Sequence, residues 1–144
     1  MHTPVGTLST SKWPSAMMVA GLVNDGTISS IDDLCSKYFD WWTTDETDNR
    51  SKVTIGNLLS FTSGFGGGHP GEEHINLGRR TAYKLRALTG EFDAKPSPAD
   101  CVYDSSLDIE DCAKAIYTSV KNEGVPGEVY AYNSYHLQIA GAIA

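Results

Sequence analysis

Apolar positions along the chain cluster in a few segments whose spacing is helical. In residues 9–24, Trp13, Ala16, Met17, Ala20 and Gly21 follow the i, i+3, i+4 rhythm of one buried stripe. Asp25-Gly26 ends that helix, the glycine supplying the left-handed C-terminal turn. Residues 28–38 read as a connector with a one-turn helix over Ile31, Asp32, Asp33 and Leu34. Phe39-Asp40-Trp41-Trp42 forms an aromatic knot, and the polar residues 43–52 after it read as a surface loop. Thr54 caps a second helix with Ile55, Leu58 and Leu59 on its inner face, ending by Ser63-Gly64. The glycine-rich residues 64–71 must be a loop. Residues 75–88 are weakly periodic, and residues 91–104, with Pro96 and Pro98, read as a long irregular connection. Asp108 then caps an amphipathic helix. Ile109, Cys112, Ala113, Ile116, Tyr117 and Val120 share one face of it, and Gly124 ends it. Pro126-Gly127 is a turn, residues 128–132 are short and extended, and a last helix runs from about Ser134 onward. That apolar helical pattern is still running at Ala144, and only eight residues precede Ser9, so the pattern predicts a segment cut at both ends.

Composition narrows the class. The 144 residues suffice for one domain, and 40% apolar with 20% charged residues reads as globular rather than disordered. The net charge of −7 is spread along the chain, which argues against nucleic acid or an anionic membrane as the main partner. No apolar run approaches a membrane span of about 20 residues. The first ten residues show no secretion signal. The cysteines and histidines fit no metal pattern, so no metal is expected. Cys101 and Cys112, 11 positions apart around a helix start, are placed for a disulfide. Such a loop stabilises by roughly 2–3 kcal/mol and would point to an oxidising, extracytoplasmic compartment. Two ordinary thiols are the alternative; Cys35 reads as core filling. Asn49-Arg50-Ser51 has the letters of a glycosylation acceptor, a triplet common by chance.

Chemistry enters at Ser9-Thr10-Ser11-Lys12. At i and i+3 on a helix the serine hydroxyl and lysine amine share a face, where a neutral amine can take the serine proton. The helix N-terminus adds backbone N–H donors for a developing oxyanion. Alone the tetrad is a common combination. It continues, however, as SKWPSAMMVAGLVNDGTISSIDDLCSKYFDWW, and VTIGNLLSFTSGF and PGEVYAYNSYHLQIAGAIA follow in order. With these three stretches the chain resembles the family of serine β-lactamases, penicillin-binding DD-peptidases and their class C-like esterase relatives. The resemblance covers nearly the whole chain and is weakest over residues 69–99.

The resemblance implies a mainly α structure, the helical region of that family's α/β fold, with the central antiparallel sheet largely missing. Residues 1–144 would be a partial domain, from nucleophile helix to tyrosine motif. Ser9 matches the acylated nucleophile, Lys12 the base that activates it, and Tyr132 the tyrosine that shuttles the proton to the leaving group. Lys12 and Tyr132 titrate as a pair, and the motif leaves open which is the base. Ser134 falls where the family's Tyr-x-Asn has its asparagine and is assigned to substrate binding. Its hydroxyl reaches less far than an amide. The family's later Lys-Thr-Gly or His-x-Gly element has no counterpart here; His69-Pro70-Gly71 has the letters but precedes Tyr132 and is read as coincidence. The implied activity is acyl transfer from a small ester, D-amino-acid peptide or β-lactam to Ser9, then to water, with no cofactor. The alternative is a non-catalytic relative acting as a binding module. For these 144 residues alone the expectation is slow or absent turnover. Without a sheet, apolar faces at Ile109, Ile116, Val120 and residues 137–143 are expected to be exposed.

Overall fold

The computed structural model describes residues 8–66, 101, 107–122 and 124–144. The weakly periodic segment, the proline-containing connection apart from Cys101, and the loop beyond Gly66 lie outside the described residues. Four α-helices carry the described part, namely α1 (Lys12–Asn24), α2 (Ile55–Leu59), α3 (Ile109–Ser119) and α4 (Tyr135–Ile143). Among the described residues the β-structure is two isolated antiparallel bridges, Leu34 with Thr54 and Phe65 with Asn122. The architecture is mainly helical, as the resemblance implied. No described helix is long and apolar enough to cross a membrane.

The nucleophile helix begins as a 3₁₀ turn over Leu8–Ser11 that runs into α1. Pro14 sits in the first turn of α1, where a missing N–H breaks no helical bond. The stripe expected to be buried faces outward instead. Trp13 is 74% exposed, Met17 and Met18 lie open, and Val19 is the buried residue of the helix. The reason is that α1 is apolar nearly all round, so periodicity could not select a face. Val19 docks with Ile28 and Ile55, flanked by Leu22, Val23, Leu59 and Ile143. The Ile28 N–H bonds to the Leu22 carbonyl at 3.0 Å and folds the connector back onto the helix.

That connector has no helix at Ile31–Leu34. A turn closes there (Asp33 N–H to Ser30 carbonyl, 3.1 Å), and a 3₁₀ turn follows over Cys35–Lys37. The Asp33 carboxylate organises it, accepting from Tyr38 Oη at 2.6 Å, Lys37 Nζ at 2.9 Å and the Ser30 N–H at 3.2 Å. Bonds from Tyr38 and Lys37 hold its carboxyl below the ordinary carboxylate range. Among residues 43–52, Asn49–Lys52 forms a 3₁₀ turn with Ser51 buried.

α2 is short but doubly capped. Thr54 Oγ1 accepts the Asn57 N–H at 3.1 Å, and Asn57 Oδ1 accepts the Thr54 N–H at 3.0 Å. Asp108 caps α3 by accepting from the Glu110 and Asp111 N–H groups at 2.8 and 3.1 Å. α3 stops at Ser119 rather than at Gly124. Val120 turns extended, and the Gly66 N–H reaches the Lys121 carbonyl at 3.2 Å, drawing the chain into the Phe65–Asn122 bridge.

The main core packs Leu58 of α2, Ala113, Ile116 and Tyr117 of α3, and Ile139 and Ala140 of α4 around Phe39, Trp42 and Phe65. Burying side chains of this size stabilises by about 1.5–3 kcal/mol each. The expected exposure therefore falls elsewhere. Ile116 and Ile139 are fully buried and Val120 packs against the core, while Ile109 is exposed. Cys101 and Cys112 are disulfide-bonded with Cα atoms 5.5 Å apart, and Gln138 of α4 donates to the Cys101 carbonyl at 3.4 Å. Cys35 is a free, buried thiol that burial pushes up to about 12, in keeping with a packing role.

Candidate active site

Two segments distant in sequence meet at the Ser9 hydroxyl, and a third packs against them. Lys12 lies one turn along the same helical stretch and donates from Nζ to Ser9 Oγ at 3.4 Å. Tyr132, 123 positions away, shares a 2.5 Å hydrogen bond with Ser9 Oγ. The third segment is the turn after α2. Phe61 lies beneath, its ring centroid 5.1 Å from that of Tyr132, with Lys12 Nζ 6.0 Å from it and 4.6 Å from the Tyr132 centroid. Lys12 Nζ thus sits between the serine oxygen and two aromatic faces.

Ser134, the fourth residue assigned to the site, stands apart from this group in kind. It is exposed at the N-cap of α4, and its side chain makes no capping bond. Its neighbour Asn133, given no role from the sequence, performs the structural work at this corner. Asn133 Nδ2 donates to the Phe65 carbonyl at 3.0 Å, and Oδ1 accepts the Tyr135 N–H at 2.9 Å, opening α4.

The turn that receives the tyrosine segment is conformationally demanding. Phe61 has φ +61, unusual for a bulky residue. Gly64 and Gly66 have φ +86 and +70, and a Cβ on either would lie 2.8 Å from the Gly124 carbonyl oxygen or 2.7 Å from Asn133 Nδ2. The Thr62 N–H closes on the Asn57 carbonyl at 2.8 Å, and the Thr62 carbonyl accepts the Gly127 N–H at 2.8 Å. These bonds fix the short stretch before Tyr132 against the end of α2.

Two polar residues beneath the site were not singled out from the sequence. Ser63 and His136 are both fully buried, with Ser63 Oγ 2.9 Å from His136 Nδ1 and His136 Nε2 2.7 Å from the Ala131 carbonyl oxygen. Burial lowers the His136 imidazole to about 4, the bond to Ala131 opposing it. Ser63 lies within the stretch VTIGNLLSFTSGF, but nothing local ties it to a histidine 73 positions on. Among the described residues no group of three His, Cys, Asp or Glu side chains could hold a metal ion.

A serine, a lysine and a tyrosine thus meet at the start of a helix in a mainly helical chain. The family model described as Beta-lactamase matches residues 1–144, the whole chain, and the protein belongs to that family, a superfamily of serine hydrolases. Comparison with curated proteins and with solved structures finds no match.

Proposed function

We propose that the protein acts through Ser9 as an acyl-transfer hydrolase, with Lys12 and Tyr132 handling its proton. The observation that carries this reading is the shared contact of Lys12 Nζ and Tyr132 Oη with one serine oxygen. Lysine donates to Ser9 Oγ, and in the Ser9–Tyr132 bond either hydroxyl can donate, so the serine proton has a path to the tyrosine oxygen. Ser9 Oγ then bonds to the substrate carbonyl carbon while its proton passes to the Lys12–Tyr132 pair. That proton goes on to the departing alcohol or amine as the carbonyl's bond to it breaks. Water, deprotonated by the same pair, releases the acid and returns the proton to Ser9. The N-terminal start of the helical stretch offers the Ser9 backbone N–H to the oxyanion.

The substrate class is an ester or a D-amino-acid peptide, with β-lactams as strained amides that the same chemistry opens. Ser9 is exposed, and Trp13 and Tyr130 offer uncovered aromatic surface nearby in sequence to Lys12 and Tyr132. Ser134 is proposed to contact substrate from the exposed start of α4.

A fluorescent fluorophosphonate and a fluorescent penicillin test the reading. Covalent labelling of the wild-type chain that vanishes in Ser9→Ala is expected. Labelling unchanged in Ser9→Ala, or none in the folded wild type with either probe, would leave a non-catalytic binding module as the better description.

A further inference from the structure

Ala131, the residue before the tyrosine, is held at both of its backbone polar groups. Its N–H donates to the Phe61 carbonyl at 2.9 Å, and its carbonyl accepts from His136 Nε2 at 2.7 Å. A carbonyl cannot donate, so the imidazole must carry its proton on Nε2. Nδ1 is then free to accept from the Ser63 hydroxyl at 2.9 Å, which fixes tautomer and ring orientation together. Asn133 Nδ2 adds a weaker contact to the same Ala131 carbonyl at 3.4 Å. The Phe61 ring, 5.3 Å from the imidazole centroid and 5.1 Å from the Tyr132 centroid, fills the space between them. His136 is completely buried, so no water competes for these bonds. Hydrophobic packing alone would be served as well by leucine; a histidine satisfied at both nitrogens fixes a direction.

We propose that His136 is a positioning residue for Tyr132: by gripping the Ala131 carbonyl from the Ser63-anchored imidazole, it fixes the backbone that presents the tyrosine hydroxyl to Ser9. This rests on the acyl-transfer reading for its catalytic meaning. The placement itself is a separate fact and can be measured separately.

The experiment uses the full chain with ¹³Cζ-labelled tyrosine, the Tyr132 resonance being assigned by its loss in Tyr132→Phe. His136→Leu removes both bonds, whereas His136→Gln keeps a side-chain amide able to donate to Ala131. The expected result is a displaced or broadened Tyr132 resonance in His136→Leu that returns toward the wild-type position in His136→Gln. Ser9 labelling by the fluorophosphonate should fall about 10- to 100-fold in His136→Leu and recover in part in His136→Gln, the loss typical of a slightly misplaced group. In a Tyr132→Phe background His136→Leu should cost little more, because its effect passes through the tyrosine hydroxyl. Should leucine prevent folding, Ser63→Ala, which releases only the Nδ1 anchor, carries the same comparison. A Tyr132 resonance unmoved in the folded variants, or an undiminished loss of labelling in the Tyr132→Phe background, overturns the positioning role. If Ser9 goes unlabelled in every form while the Tyr132 resonance still moves, the hydrolase reading falls and the grip on Tyr132 stands.

Discussion

The positive-φ glycines of the turn after α2 show how single atoms decide whether Tyr132 can reach Ser9. Gly64→Ala combines a φ of +86 with a Cβ 2.8 Å from a carbonyl oxygen, and neither backbone can yield easily. We expect a loss of at least about 1 kcal/mol in a urea unfolding titration. Gly66→Ala drives a Cβ to 2.7 Å from Asn133 Nδ2 and should additionally slow Ser9 labelling, since Asn133 opens the helix behind the tyrosine. Tyr132→Phe keeps the ring against Phe61 and removes the hydroxyl alone. Its acylation rate should drop about 10²–10⁴-fold with melting little changed, read by probe labelling and thermal unfolding side by side. Ser9 and Lys12 were legible because their spacing is local, and Tyr132 because its flanking residues resemble a family segment. Ser63 and His136 were not, because their partnership spans 73 positions and a histidine in an apolar helix reads as ordinary core.

Among the elements, the capped helices were the readable ones. Asp108 announced α3, and the expected pair Cys101–Cys112 is bonded. A short loop closed by a disulfide restricts mainly the unfolded chain. Reduction should therefore lower stability by roughly 2–3 kcal/mol, measured as a shift of the denaturation midpoint with and without a strong reductant. Where the reading failed, the competing interaction was non-local or the pattern had no preferred side. Ile31–Leu34 looked helical, but Leu34 bridges Thr54 and Asp33 takes Tyr38 and Lys37 as partners, which a continued helix would not permit. α3 was extended to Gly124 because a glycine is an obvious stop, yet the pairing of Phe65 with Asn122 takes the chain away earlier. The face of α1 was misread because Trp13, Met17 and Met18 are as apolar as Val19, Leu22 and Val23, and only tertiary contact distinguishes them.

For the molecule as a whole, the buried imidazole ties stability to pH. The folded His136 titrates at about 4, below the ordinary 6.5, so between these values the unfolded chain binds a proton that the folded chain does not. Its contribution is complete above about pH 6.5, declines as pH falls toward 4, and is lost below that. A lowering of this size is worth on the order of 3 kcal/mol, and His136→Gln should flatten that part of the stability–pH curve in urea titrations between pH 7 and 4.

The chain's three tryptophans divide between the two parts of the molecule that matter. Trp42 is buried, with Nε1 donating to the Arg50 carbonyl at 2.7 Å, and Trp41 stacks on Phe39 and donates to Glu110 at 3.0 Å. Trp13 stands in water beside Lys12 at the head of α1. The emission of one sample should accordingly contain a long-wavelength component open to iodide quenching and a shielded one that is not. Acylation of Ser9 should alter the first and leave the second, whereas melting of the core should shift the second first. Removing Trp13 by Trp13→Phe should take away most of the quenchable component, leaving the emission of the half-buried Trp41 and the buried Trp42.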